Sequence, residues 1–94
     1  MIDDPTFIEY MERVNAYQEL NRGSPCLWKG YRKGLRRLRF GESFGTDAQH
    51  TIRMAIPLDD PDPSRQEYGR GYRAGYAGDN PTVLVDQDSR FCCS

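Results

Sequence analysis

One heptapeptide pattern occurs twice in this chain and constrains its fold more than any other feature. Lys29-Gly30-Tyr31-Arg32-Lys33-Gly34-Leu35 returns 41 residues later as Arg70-Gly71-Tyr72-Arg73-Ala74-Gly75-Tyr76, a shared base-Gly-Tyr-Arg-x-Gly-apolar sequence. On a helix, Gly30 and Gly34 sit four residues apart on the tyrosine side, and so do Gly71 and Gly75. Missing side chains at that spacing let two backbones approach closely. Each glycine lowers helix propensity by up to ~1 kcal/mol relative to alanine, so the pattern implies a packing reason for keeping them. The expectation is a pair of helices joined through facing glycines and tyrosines.

Punctuation along the chain supports a mainly α fold. Asp4 as N-cap with Pro5 at the first helical position opens a helix carrying Phe7, Met11, Val14 and Tyr17 at helical spacing, and Gly23 ends it. Ser24-Pro25 repeats the start signal for a second helix through Leu27, Trp28, Tyr31, Leu35 and Leu38 to Gly41. The short turn between them predicts antiparallel packing. Residues 46–56 fit both a helix, from the Thr46/Gln49 capping box and the Ala48, Ile52, Ala55, Ile56 face, and the alternation of a strand over Thr51 to Ile56. A short helix stopped by Pro57 is favoured. Leu58-Asp59-Asp60-Pro61-Asp62-Pro63 reads as a stiff acidic linker. Ser64 with Glu67 forms a further capping box ahead of a long helix through Tyr68, Tyr72 and Tyr76 toward Gly78. Pro81 to Asp86 is compatible with a short strand, and the rest reads as tail. The fold expected is a small antiparallel bundle of three to four helices, with 1–80 as one domain and 81–94 as a C-terminal extension.

Ninety-four residues leave room for one domain. A hydrophobic share of 37% against 29% charged, with mean hydropathy of -0.81, implies a thin core. No apolar run approaches the ~20 residues that span a bilayer, and Met1-Ile2-Asp3-Asp4 does not begin a secretory leader. Cys26, Cys92 and Cys93 make an odd count that includes an adjacent pair, which fits a reduced cytoplasm. Cys26 reads as a small core residue, and Cys92-Cys93 has no ligands nearby to complete a metal set.

Charge is segregated. Residues 1–20 hold five acids and one base, 21–45 hold seven bases and one acid, and 46–94 hold eight acids and five bases, within a net charge of -1. A turn of ~100° per residue places Leu27, Trp28, Tyr31, Gly34, Leu35 and Leu38 on one face of the second helix. Lys29, Arg32, Lys33, Arg36, Arg37 and Arg39 are expected opposite, all outward. Like charges at that spacing weaken an isolated helix by a few tenths of a kcal/mol per pair, which an anionic partner would relieve. These six bases, with Arg70 and Arg73 from the second repeat, are the candidate partner-binding residues. The tyrosines of the repeat have two readings: core residues with a hydroxyl at the rim, or exposed rings that stack on nucleic acid beside arginines.

The two repeats resemble the ribosome modulation factor family, short bacterial proteins with a Gly-Tyr-x-x-Gly helix followed by a helix carrying Arg-Gln-x-aromatic-x-x-Gly-aromatic-Arg. Gly30-Tyr31-Arg32-Lys33-Gly34 is similar to the first motif, and Arg65-Gln66-Glu67-Tyr68-Gly69-Arg70-Gly71-Tyr72-Arg73 to the second. The resemblance covers residues 28–78 and implies a helix pair that binds ribosomal RNA. Family members are shorter and strongly basic, and their Cys-Pro-Tyr between the motifs is absent here.

No motif points to catalysis or to a cofactor. His50 has no recognisable triad partners and reads as a surface or capping residue. Asp59, Asp60 and Asp62 lack EF-hand spacing. Gly71 to Gly78 lacks the Gly-Lys-Ser/Thr ending of a phosphate loop. The function expected is therefore a non-enzymatic protein that docks on a larger protein or nucleoprotein through the basic helix face. Anti-defence proteins of phages, such as anti-CRISPR proteins, belong to that class. Ribosomal RNA binding is the alternative from the resemblance, and a homo-oligomer joining residues 3–19 of one copy to the basic face of another is a third.

Overall fold

A computed structural model describes residues 3–41, 46–56 and 61–85. They form a small all-α bundle: α1 (Asp4–Glu19), α2 (Pro25–Phe40), α3 (Asp47–Met54), α4 (Pro63–Ala77) and a last helical segment, α5, over 81–85. Among the described residues there is no strand. Pro57, the Leu58–Asp60 part of the acidic linker, and Cys92-Cys93 lie outside the described residues.

Helix ends follow the local chemistry with small shifts. The Ser24 hydroxyl accepts from Leu27 N–H at 3.1 Å with Pro25 in the first turn. Thr46 and Gln49 form the reciprocal capping box, so the helix reading of 46–56 holds. The cap of α1 is Asp3, one residue earlier than expected, and its carboxylate accepts from Thr6 N–H at 3.0 Å. The cap of α4 is Asp62, not Ser64, because Pro63 already has the backbone angle of a first helical residue. Gly78 closes α4 in the left-handed region at φ 79°, where a Cβ would be strained.

α1 and α2 form the antiparallel hairpin expected from their short connection. Asp4 meets Arg39, Asn15 meets Arg32, and Tyr17 stacks on Trp28 at 5.8 Å. The central pair departs from antiparallel order. A Cβ added at Gly30 would lie 2.1 Å from the Tyr68 carbonyl oxygen, and one at Gly34 2.1 Å from that of Tyr72. In return, Gly71 would meet the Leu27 carbonyl oxygen at 2.0 Å and Gly75 that of Tyr31 at 2.2 Å. Both helices rise together through this register, so α2 and α4 run parallel. Shifting any of these contacts by the repeat interval gives its counterpart: 27 with 71 becomes 68 with 30. The crossing is therefore a pseudo-two-fold built by the repeat. Each glycine points a Cα hydrogen at the facing carbonyl, a contact worth ~0.5–1 kcal/mol.

Parallel neighbours need a return element, and α3 supplies it by running back along α4, with His50 near Tyr76 and Ile56 over Gly69. The core comprises Val14, Leu27, Trp28, Tyr31, Leu35, Leu84 and Val85, with Phe7, Tyr10, Met11, Tyr17, Leu38 and Ala74 packed around it. The polar ends of the buried Trp28 and Tyr31 are satisfied. Trp28 Nε1–H donates to the Arg22 carbonyl at 2.6 Å, and the Tyr31 hydroxyl donates to the Asp79 carbonyl at 2.7 Å. Tyr31 and Tyr72 are fully buried, so the core reading of the repeat tyrosines holds for both.

Over 81–85 the expected short strand is replaced by a helical turn that packs on the core. Asn80 accepts from Thr82 N–H at 3.0 Å ahead of a helical turn, the same start signal as Ser24-Pro25. Leu84 and Val85 are adjacent and both buried, which suits a helical turn against the core and not the alternation of a strand. Tyr17 and Thr82 share a hydroxyl hydrogen bond of 2.8 Å that ties α5 to α1.

Because carbonyl backbone faces these glycines, Gly34→Ala or Gly75→Ala must push the two helices apart. Each is expected to lower stability by ~3 kcal/mol in urea unfolding. Gly41→Ala, where nothing lies within 4 Å, is expected to cost only the backbone strain of φ 63° and ψ -140°, about 1–3 kcal/mol. Unchanged or raised stability in Gly34→Ala and Gly75→Ala, the outcome that helix propensity alone would give, would show that close packing is not what the repeat glycines supply.

Candidate functional site

The bases of α2 divide into those the fold uses and those it does not. Arg37 is 7% exposed and reaches α3, where its Nη2 lies 2.6 Å from Asp47 Oδ1. This corrects the expectation that all six bases face outward. Arg37 continues the i, i+4, i+7 row of Gly30 and Gly34, so it lies beside the helix crossing and not opposite it. Arg39 donates from Nε to Asp4 at 2.6 Å and lies over the Phe40 ring. Arg32 donates to the Asn15 side chain on α1. Its pKa is lowered, first by burial and then by neighbouring Arg36.

The second repeat's bases are also occupied. Arg70 pairs with Glu67 at 2.8 Å, one helical turn away. Arg73 donates from Nη1 to the Met54 carbonyl at 3.2 Å and to that of Ile56. A guanidinium at the last carbonyls of α3 completes that helix end and complements its dipole. Arg32 and Arg73 are repeat equivalents, and each pins a flanking helix to the central pair. The expectation that Arg73 faces a partner is thus replaced by a structural role; among the described residues its buried Nη2 has no hydrogen-bond partner.

Lys29 and Lys33 remain along one edge of α2, where Arg36, which has a contact of its own, and Arg53 from α3 join them. Arg53 lies 5.7 Å from the centre of the Tyr72 ring. Tyr72 in turn supports Gly34 through its carbonyl, which places Arg53 near the Lys33 edge. The crowding registers on Lys33, whose pKa is pushed down first by partial burial and then by Arg53, Lys29 and Arg36. Among the described residues, no acid forms an ion pair with Lys29, Lys33 or Arg53. Nothing in the sequence pattern marked Arg53, a single base on a short helix; only the return of α3 across α4 brings it to this edge.

His50 departs from a plain surface or capping role. Its Nδ1 lies 2.7 Å from the Tyr72 hydroxyl and its ring centre 4.4 Å from that of Tyr76. Its pKa is lowered, chiefly by burial and then by Arg37, with Asp47 opposing and Arg53 adding to the fall. Cys26 is half-buried. Among the described residues no group of three His, Cys, Asp or Glu is placed to hold a metal ion, and no helix is long and apolar enough to cross a membrane.

Comparison with known proteins finds no matching family model, no matching curated protein and no matching solved structure.

Lys33→Gln removes a cation that its neighbours repel, so it is expected to raise stability by a few tenths of a kcal/mol in thermal unfolding and to weaken the dependence of stability on salt. A clear loss of stability would show that Lys33 is held by the fold and not exposed to use.

Proposed function

We propose that this protein is a non-enzymatic binding protein that docks on a larger nucleoprotein through the cationic edge formed by Lys29, Lys33, Arg36 and Arg53. One observation carries the reading. The repeat provides an internal reference for what the helix pair needs, and at the positions equivalent to Lys33 and Arg36 the second copy has Ala74 and Ala77. The equivalent of Glu67, which neutralises Arg70, is Cys26, so Lys29 lacks that acid. The pair therefore packs with small or neutralised side chains at these places in α4, while α2 gathers like charges that repel. A surface whose charges weaken its own fold is one that an anionic partner stabilises.

The overall charge of -1 suits a composite surface of protein and nucleic acid better than a free duplex, which a net-negative protein meets with long-range repulsion. Inhibition of a host defence complex, in the manner of anti-CRISPR proteins, is one role such docking would serve. A ribosome-directed version of the same reading draws on a separate observation, that both Gly-Tyr-x-x-Gly segments pack as a helix pair of the kind the ribosome modulation factor resemblance implies.

The test uses Lys29→Glu, Lys33→Glu and Arg53→Glu together, because changes at Arg32 or Arg37 would also disturb helix packing. Retention on purified ribosomes, and on nucleoprotein from cell extract with and without nuclease, is compared for the native and triply changed chains. The native chain is expected to be retained at low salt and released as salt rises, and the triple variant to bind at least tenfold more weakly with its helical content intact. Equal retention of both chains would remove the basis for this function.

A further inference from the structure

We propose that α3 is an acid-released strap: protonation of His50 undocks α3 from α4 and uncovers Tyr72 and Tyr76, while the α2/α4 pair stays packed. The inference does not rest on the docking function. It begins from how little apolar surface holds α3. The helix has eight residues, none of them buried, and an isolated helix of that length does not persist in water. Its apolar anchor is Ile56, just beyond its C-terminus, whose side chain rests on Gly69. The remaining attachments are polar or made through rings: Arg37 to Asp47 at one end, Arg73 to the Met54 and Ile56 carbonyls at the other, and His50 on Tyr72 and Tyr76 with Arg53 on Tyr72 in the middle.

His50 is the only one of these tethers that changes charge near neutral pH. The groups facing it are Arg37 from α2, Asp47 and Arg53 from its own helix, and Tyr72 and Tyr76 from α4. Two guanidiniums thus oppose a positive imidazole, and the one carboxylate among these groups is already engaged by Arg37. A neutral ring can accept a hydrogen bond from the Tyr72 hydroxyl at Nδ1 and pack on Tyr76 without that repulsion. The docked state lowers the pKa of His50, so its contribution to docking is complete above the ordinary value of 6.5 and is lost as pH falls below it. Undocking also withdraws Arg53 from the Lys33 edge, so the strap would couple acidity to the composition of the cationic surface.

Backbone chemical shifts followed from about pH 8 to about pH 5 test the proposal without any partner. The native chain is expected to lose helical shifts over Asp47–Met54 on acidification, with those of α2 and α4 unchanged. His50→Gln keeps an acceptor for the Tyr72 hydroxyl but cannot gain the charge, and should hold α3 docked throughout. Helical α3 shifts that persist in the native chain to the acid limit, or an identical acid loss in His50→Gln, would overturn the strap. If the Gln variant never docks α3, Arg53→Gln decides the matter. Removing one opposing cation should bring the His50 titration closer to its ordinary value and shrink the acid loss, and an unchanged titration would count against the proposal.

Discussion

Backbone-to-backbone contact between α2 and α4 sets the terms for the rest of this molecule. Four glycines, two from each repeat, let carbonyl oxygens of one helix sit where side chains of the other would stand. With so little between the backbones, the crossing tolerates only one register, and the repeat interval makes it reciprocal. Tyr31 and Tyr72, each following the first glycine of its repeat, are then carried into the interior, and Arg32 and Arg73, one residue further, reach outward to hold α1 and α3. A short sequence used twice thus supplies the contact, part of the core and the clamps that attach the flanking helices.

Because both copies of the repeat solve the same packing problem, differences between them are informative in a way that a single helix would not be. Arg37 and Arg39 are bound by Asp47 and Asp4, and they secure helix ends. Lys33 has Ala74 as its counterpart and Lys29 lacks the acid that pairs with Arg70, and the repulsion on Lys33 is increased by Arg36 and Arg53. Residues that strain local consistency without helping the fold are a common mark of a binding surface, where the compensating interaction comes from outside. The other side of the molecule is different in character, since α1 is dominated by acids at its surface. One edge of α2 therefore presents a localised positive field on a chain whose total charge is close to zero.

Stability is distributed unevenly over this architecture. The central pair, α1 and α5 share a continuous apolar core, whereas α3 contributes none of its own buried residues and is attached mainly by ion pairing and hydrogen bonds. Elements held in that way occupy the low end of a protein's range of local opening free energies. The position of His50, between two guanidiniums and two tyrosines, makes the weakest element also the one most exposed to a change of protonation.

Much of the architecture could be read before any coordinates. Proline after a capping residue marks the start of α2 and, to within a residue, that of α1; glycine marks the ends of α2 and α4, whereas α1 stops at Glu19, short of Gly23; and the repeat predicts a glycine-lined helix pair, because these are local effects of backbone angles and side-chain volume. The capping box marks the helix within 46–56, while 81–85 forms a helical turn against the strand preference of its β-branched residues, because Asn80 caps it and the core takes Leu84 and Val85. The direction of the α2/α4 pair, the burial of Arg37, the structural use of Arg73 and the arrival of Arg53 beside Lys33 were decided only in the folded molecule. Each depends on which face of one helix meets another across many residues of intervening chain, and nothing local to a single helix encodes that geometry.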